Sequence, residues 1–401
     1  MKWWKKILLV LLAVILLAQI PFIYRRVQTG KLADNIANLQ SQRINLSNPN
    51  FAEYKGIIHA HTNLGGHSTG SFDELIGAAR SNELDFVVMT EHFSFNYDSS
   101  ALTLNGFYGR TLFVGGNEVD TATGDRFLMI PGGADAPQFA FEQTDSFLEK
   151  VHANNRLALV TYPERLKSWD AKFDGIEVFS LHTNAKKMNP ATFIFDALWS
   201  FPAYPELTLA NYFVRPDANL QKFDEISAKR KITLFAGTDA HSNIGFHLLG
   251  DETGNKFVNF KFDDYAGVFR LSRAHVLLEK DRQLSRENLT EAIKNGHLFV
   301  GFDILSDTKG FSFTAENSAE SKIQGDEINL QTGVKLKAAA PQSARFVILK
   351  NGEKVFEESG RNEIVFDAQE KGVYRTEIYL DVLGSPFDKM PWILSNPIYV
   401  R

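Results

Sequence analysis

The chain has 401 residues, more than one ordinary domain of ~100–200 residues holds. Hydrophobic residues make up 44% and charged residues 23%, which excludes wholesale disorder, and a net charge of -5 offers no basic field to a nucleic-acid duplex. Cysteine is absent, so disulfides, zinc–thiolate sites and Cys nucleophiles are excluded together.

Lys2, Lys5 and Lys6 precede an apolar run over 7–23, broken only by Gln19 and Pro21. A bilayer span takes ~17–25 residues and a secretory h-region ~7–15, so the run suits a transmembrane anchor over 1–26. Ala-Gln-Ile-Pro at 18–21 is a poor cleavage signal, Arg25-Arg26 close the far end, and Trp3-Trp4 suit an interface. The competing reading is a cleaved secretory signal, which would leave the protein secreted. The basic start favours a cytoplasmic N-terminus, with Arg25, Arg26 and Lys31 as a counterweight. The expectation is a single-pass protein of the bacterial inner (cytoplasmic) membrane with its remaining chain outside, a compartment that suits a cysteine-free protein. Residues 27–52 read as a short helix (Leu32, Ile36, Leu39) and a linker.

Over 53–303 strand-like runs (56–59, 86–90, 111–114, 157–161, 175–179, 232–237) alternate with helical patterns such as 72–81 and 223–229, which argues for βα units around a parallel sheet or barrel. From 304 to 401 short alternating runs (311–314, 334–338, 346–350, 364–367, 373–380, 398–400) are separated by turn signals such as Asn351-Gly352. That segment reads as a small antiparallel β-sandwich.

The chemistry gathers at the strand ends of the first region. His59-Ala60-His61 ends one run, and alternation puts both imidazoles on one face, able to grip one metal ion. His67 follows in a Gly-rich loop; Glu91-His92, Glu118 and Gly237-Thr238-Asp239-Ala240-His241 each end another run. Such ends are where βα enzymes assemble their sites. Any one of these residues alone reads as a hydrogen-bonded or surface side chain; the set reads as a metal site. His152 reads as solvent-facing on a helix-like stretch before Leu157; His247, His275 and His297 lack a motif and read as structural.

His59-x-His61, His67, Thr90-Glu91-His92, Glu118 and Gly237-Thr238-Asp239-x-His241 resemble the PHP (polymerase and histidinol phosphatase) superfamily of metallohydrolases. The tail, with Asn351-Gly352-Glu353, Gly372-Val-Tyr-Arg375 and 392–399, is similar to the carbamate/ester-hydrolase-type branch with a C-terminal sandwich. The implied fold is α/β: a distorted (β/α)7 barrel over 53–303, then the sandwich. The resemblance implies that His59, His61, Glu118 and Asp239 hold one divalent ion and His67, His92 and His241 another. A third ion would use His182 and an Ala-His-Pro histidine, whose place Tyr162 takes in Thr161-Tyr162-Pro163, so two ions are expected. Glu91 stands where the family has Asp and is expected to orient an imidazole by a carboxylate hydrogen bond.

Imidazole and carboxylate ligands suit Zn, Mn or Fe(II). The implied mechanism is attack by a metal-bound hydroxide, with Glu118 bridging and Asp239 or His241 relaying the proton. Arg165 and Tyr162 are candidates for binding an anionic substrate group; an ordinary surface salt bridge is the competing account of Arg165. The barrel resemblance implies a phosphoesterase; the sandwich leans towards carbamate, ester or amide hydrolysis, and a non-catalytic metal-stabilised binding module is a third reading. Finally, 33 Phe is an excess. Aromatic stretches lie at 139–147 and in an insertion over 184–217; they read either as core over the barrel mouth or as an amphipathic lid that meets the membrane and an amphiphilic substrate.

Overall fold

Seven buried apolar runs pair edge to edge in this computed structural model, which describes residues 2–250, 256–330 and 333–401, with 245–250 and 256–260 described by backbone alone. The side chain of His247 therefore lies outside the described residues. The strands are β1 Phe51–Ala60, β2 Phe86–His92, β3 Thr111–Asp120, β4 Arg126–Ile130, β5 Leu157–Val160, β6 Gly175–Ser180 and β7 Thr233–Gly237. They pair in chain order, and a bridge from Ala60 to Ala240 returns the end of the last strand to the end of the first. The expected parallel βα repeat holds for β1–β2–β3 and β5–β6–β7, whereas β4 runs antiparallel to both neighbours. Its short link to β3 cannot carry the crossover of a dozen or more residues that a parallel pair needs.

Away from that bridge the second edge of β1 is taken by β8, Arg273–Glu279, which pairs antiparallel over Phe51–Gly56. The strands are thus joined end to end only on the side where the His motifs lie. Asn396 covers part of the exposed edge of β7: it is fully buried, its Oδ1 accepts from Leu234 N (2.8 Å), and its Nδ2 donates to Leu234 O and to Leu298 O. A side chain here supplies the hydrogen bonds an unpaired strand edge would lose.

β9, Leu298–Gly301, pairs with β8 and with the late strand Ile393–Ser395, so the sheet passes position 303 without a break. Beyond it, β10 Ser312–Glu316, β11 Val334–Lys350, β12 Glu353–Ala368 and β13 Gly372–Tyr379 form antiparallel ladders. The runs expected separately at 334–338 and 346–350 are one strand with a register break between Ala339 and Ala344; its first half pairs with β10, its second with β13. Pro341 cannot donate to a ladder, so pairing lapses there while the chain stays extended. Asn351-Gly352 turns β11 into β12 with both residues left-handed (φ 51° and 87°), as a tight hairpin requires.

At the N-terminus, helix Trp3–Ala18 is exposed along its length and continues into helix Ile20–Ser41. The combined segment is long and apolar enough to cross a membrane, with a mean hydropathy of 2.7 in its most apolar window and none of that window buried; a signal sequence has the same character. The 27–52 stretch is not a free spacer. Leu32 and Leu39 are buried in the main core, and Gln342 Nε2 donates to Leu39 O (2.6 Å). Much of the Phe excess is core: Phe127, Phe139, Phe147, Phe173 and Phe223 are fully buried.

One buried charge cluster, remote from the His motifs, fixes a pH response. His275 Nδ1 lies 2.7 Å from Glu53, and its Nε2 lies 3.2 Å from Asp303, which Arg273 also pairs; the ring stacks on Phe299 at 4.6 Å. Burial alone would lower this imidazole, but Asp303 and Glu53 override it and raise its pKa to about 9. A folded-state pKa above the ordinary ~6.5 means the contribution is complete below that pH and is lost as pH rises through about 9. Thermal melts should therefore show Tm falling across that window, and His275→Gln should lower Tm on the acid side and flatten the fall.

Candidate metal centre

The ends of β1, β2, β3 and the segment after β7 meet where Ala60 bridges Ala240. β1 is irregular there: its register on β2 slips between Ile58 and Ala60, and His59 takes a left-handed φ of 75°. A bulge re-aims a side chain, so the two rings that simple alternation places on one face converge with centroids 5.1 Å apart. Tyr162 (φ 51°) and Asp239 (φ 48°) share this uncommon backbone. Such residues persist only where their surroundings hold them.

His59, His61, Glu118 and Asp239 are buried, and their ligand atoms all lie within 4.8 Å of one another. His59 Nε2 is 3.5 Å from Glu118 Oε2 and 3.2 Å from Asp239 Oδ1; for His61 Nε2 the distances are 3.2 and 3.3 Å. Yet His59 Nε2, both ring nitrogens of His61 and Asp239 Oδ1 have no hydrogen-bond partner among the described residues. Buried polar atoms are nearly always hydrogen-bonded. Orphaned imidazole and carboxylate atoms crowded around one point fit a shared cation, and this donor set suits a divalent one.

A second group overlaps the first: His61, His92 and His241 also bring ligand atoms within 4.8 Å. His92 Nε2 lies 3.5 Å from Glu118 Oε2, and the His241 ring stacks on His61 at 4.5 Å. His67, expected in this set, is exposed on its loop; its ring lies against that of His92 (4.7 Å) and its carbonyl accepts from Asn243 Nδ2. His182 also stands outside both groups, its ring 6.2 Å from His241 and 6.3 Å from Tyr162. It opens a short helix beyond β6, on the wall of a cavity it shares with Asp239 and His241.

Charge follows this geometry. Burial would lower His61, but the Asp239 and Glu118 carboxylates beside it override that and raise it to about 9; His59 also moves up. Burial and neighbouring positive charge hold His92 and His241 down at about 4. The buried carboxylate pair thus demands positive charge, while the two outer imidazoles stay neutral and able to ligate.

Neighbours aim each ligand. Glu177 Oε1 sits 2.9 Å from His59 Nδ1, which turns Nε2 to the cluster. The carboxylate fits only because residue 237 is glycine: a Cβ there would lie 1.6 Å from Glu177 Oε1. Tyr162 donates to Asp239 Oδ2, leaving Oδ1 facing the histidines, and Arg126 Nη1 donates to Glu118 Oε1 (3.3 Å), leaving Oε2 free. His241 Nδ1 donates to Asp239 O (2.8 Å), so its Nε2 carries the lone pair. Glu91 differs from expectation. It accepts from Thr62 N and Oγ1 and from Thr103 Oγ1, and no imidazole is bonded to it among the described residues. It anchors the loop after His61 instead.

Glu177 and Arg126 were not singled out in the sequence. The signal for Glu177 was present: a lone carboxylate inside the apolar run 175–179 must be buried, and a buried charge is paired. Arg165 is exposed and makes no ion pair among the described residues; its guanidinium lies 5.9 Å from the Tyr162 ring centre.

No family model matches the chain, and no curated protein does. Solved structures do align with it, among them two at low identity. One, from Bacteroides vulgatus ATCC 8482, is a two-domain protein containing a predicted PHP-like metal-dependent phosphoesterase; it is 13% identical, with 88% of this chain and 97% of that chain covered, at a TM-score of 0.37. The other, PsfC from Pseudomonas syringae PB-5123, is 12% identical, covering 64% of this chain and 94% of that chain at a TM-score of 0.36. Scores this low do not establish a shared fold.

Carboxylates that orient ligating imidazoles are worth about 10–100-fold in metal affinity. Glu177→Gln, which keeps size and hydrogen bonding but not charge, should weaken Mn(II) binding by about that factor in calorimetric titration, with an unchanged circular dichroism spectrum.

Proposed function

We propose that this chain is a divalent-metal-dependent hydrolase of the PHP type, with its site at the mouth of a distorted (β/α)7 barrel over 53–303 and a sandwich over 304–401. The reading is carried by one observation: buried His59, His61 and Asp239 atoms face Glu118 across a few ångströms with no hydrogen-bond partner. His59, His61, Glu118 and Asp239 would hold one cation, and His92 and His241, sharing His61, a second. Such ions act as Lewis acids towards a phosphoryl or carbonyl oxygen and make water a nucleophile at neutral pH.

The protein's own groups do the rest. Tyr162 is fixed by its hydrogen bond to Asp239 and stays protonated, because burial and the Asp239 charge push its phenol far up. It can hold Asp239 in one orientation while that carboxylate takes a proton from the attacking water. Glu118 is kept ionised by the adjacent imidazoles, against the pull of its burial.

Phosphoester hydrolysis is favoured over carbamate, ester or amide hydrolysis by the cations beside the cluster. Arg165 and Lys186 lie 5.9 and 5.3 Å from the Tyr162 ring centre, and neither is paired with a carboxylate among the described residues. Free guanidinium and ammonium groups at a site rim suit an anionic substrate.

Loaded with Mn or Zn, the protein should cleave p-nitrophenyl phosphate or its diester well above 1-naphthyl acetate. The double variant His59→Ala/His61→Ala should fall to background; wild-type turnover in it would sink the assignment. Arg165→Ala with Lys186→Ala should raise KM for the phosphoester about tenfold, the worth of one charge-assisted contact, and leave naphthyl acetate turnover unchanged.

A further inference from the structure

The insertion after β6 is built as a mount between the N-terminal helix and the metal cluster. Its helix Pro190–Trp199 buries Asp196, which pairs with Arg25 (2.5 Å) and accepts from Tyr212. Trp199 Nε1 donates to Gln19 (3.0 Å), Arg26 donates to Trp199 O (2.6 Å), and Phe22 stacks on Phe195 at 4.7 Å. Apart from the Tyr212 bond, which lies within the insertion, these contacts fall on residues 19–26, where the exposed apolar helix ends. Ile194 and Leu198, one turn apart on the same helix, are 64% and 63% exposed. They extend an apolar surface from the N-terminal helix towards the site.

The insertion also lines a cavity of about 120 Å3. Its lining brings His182, Asp239 and His241 together with Met188, Phe193, Leu209, Phe213 and Ile244. A cavity lined both by residues of the cluster and by hydrocarbon offers two chemistries to one ligand, a site for a charged group and an apolar surface beside it.

We propose that the substrate is a bilayer-embedded amphiphile, its anionic head at the His–carboxylate cluster and its hydrocarbon tail in this cavity, delivered through the mouth that the docked helix holds against the membrane. This rests on the hydrolase reading above. In the reaction, water forms the new bond to phosphorus, the P–O bond to the leaving alcohol breaks, and the proton lost from water ends on the alcohol or in solvent.

The test uses the full chain, loaded with Mn, in phosphatidylcholine nanodiscs. Substrates are p-nitrophenyl alkyl phosphodiesters from ethyl to dodecyl, and a matched alkylphosphonate series is titrated for binding without turnover. Both kcat/KM and phosphonate affinity should rise roughly fourfold per methylene over the first carbons, then level off as the chain outgrows the cavity. Met188→Trp and, independently, Leu209→Trp should flatten both series, with a loss that grows from the ethyl to the dodecyl member. Asp196→Asn, which unpairs the mount, should slow the dodecyl ester in nanodiscs about tenfold and spare the soluble ethyl ester. Normal ethyl ester turnover with no chain-length dependence in either series would overturn the proposal and leave the hydrolase standing. Length-dependent phosphonate binding with no turnover of any ester would support the chamber and remove the hydrolase.

Discussion

Two carboxylates buried against three imidazoles are the most demanding arrangement in this molecule. Removing charges from water costs several kcal/mol each unless something of opposite sign accompanies them. Glu118 and Asp239 have that company in the rings of His59, His61 and His92 and, on the far side of Glu118, in Arg126, and the orphaned nitrogens show that hydrogen bonding does not complete the balance. Much of the surrounding structure follows from this. Glu177, Tyr162 and Arg126 each occupy the far side of a ligand so that its near side stays bare. The left-handed backbone at His59, Tyr162 and Asp239 is local strain tolerated for the same end.

That demand also explains where the sheet is tied. The bridge between Ala60 and Ala240 lies between His59 and His61 on one strand and between Asp239 and His241 on the other. The backbone hydrogen bonds that join these two segments, Thr238 N to Ile58 O, Ala240 N to His59 O and His61 N to Ala240 O, thus set the spacing of four residues of the cluster. At the other end of β1, β8 takes the edge, and Asn396 with Tyr399 caps the exposed edge near Leu234. The tail sheet therefore contributes to the shape of the first region, although it supplies no ligand.

The parts legible in the sequence were those in which a local pattern determines the outcome. The helix at 72–81 forms with its Ser71–Glu74 capping box, and the Asn351-Gly352 hairpin forms at its expected place. His59, His61, Glu118 and Asp239 were recognisable because strand ends are read from apolar runs. What escaped depended on partners far along the chain. The antiparallel course of β4 is set by a short link and by β5, not by its own residues. His67 and His182 follow strands as His59, His61 and His92 do, but stand on a loop and a short helix outside both groups of close ligand atoms. Glu91 sits where a carboxylate would orient an imidazole, yet Thr62 and Thr103 are closer claimants. Residues 27–52 looked polar enough for a spacer, because only Leu32, Ile36 and Leu39 betray a packed face.

The docked helix has one more consequence. At 1.5 Å per residue, the stretch from Gln19 to Thr29 that meets the insertion is only about 15 Å long. It is continuous with the apolar helix before it, so the two share a rotational phase as well as an axis. Inserting a single residue near the junction would turn one part against the other by about 100°. The segment therefore acts as a key, whose length matters as much as the identity of Gln19, Phe22, Arg25 and Arg26.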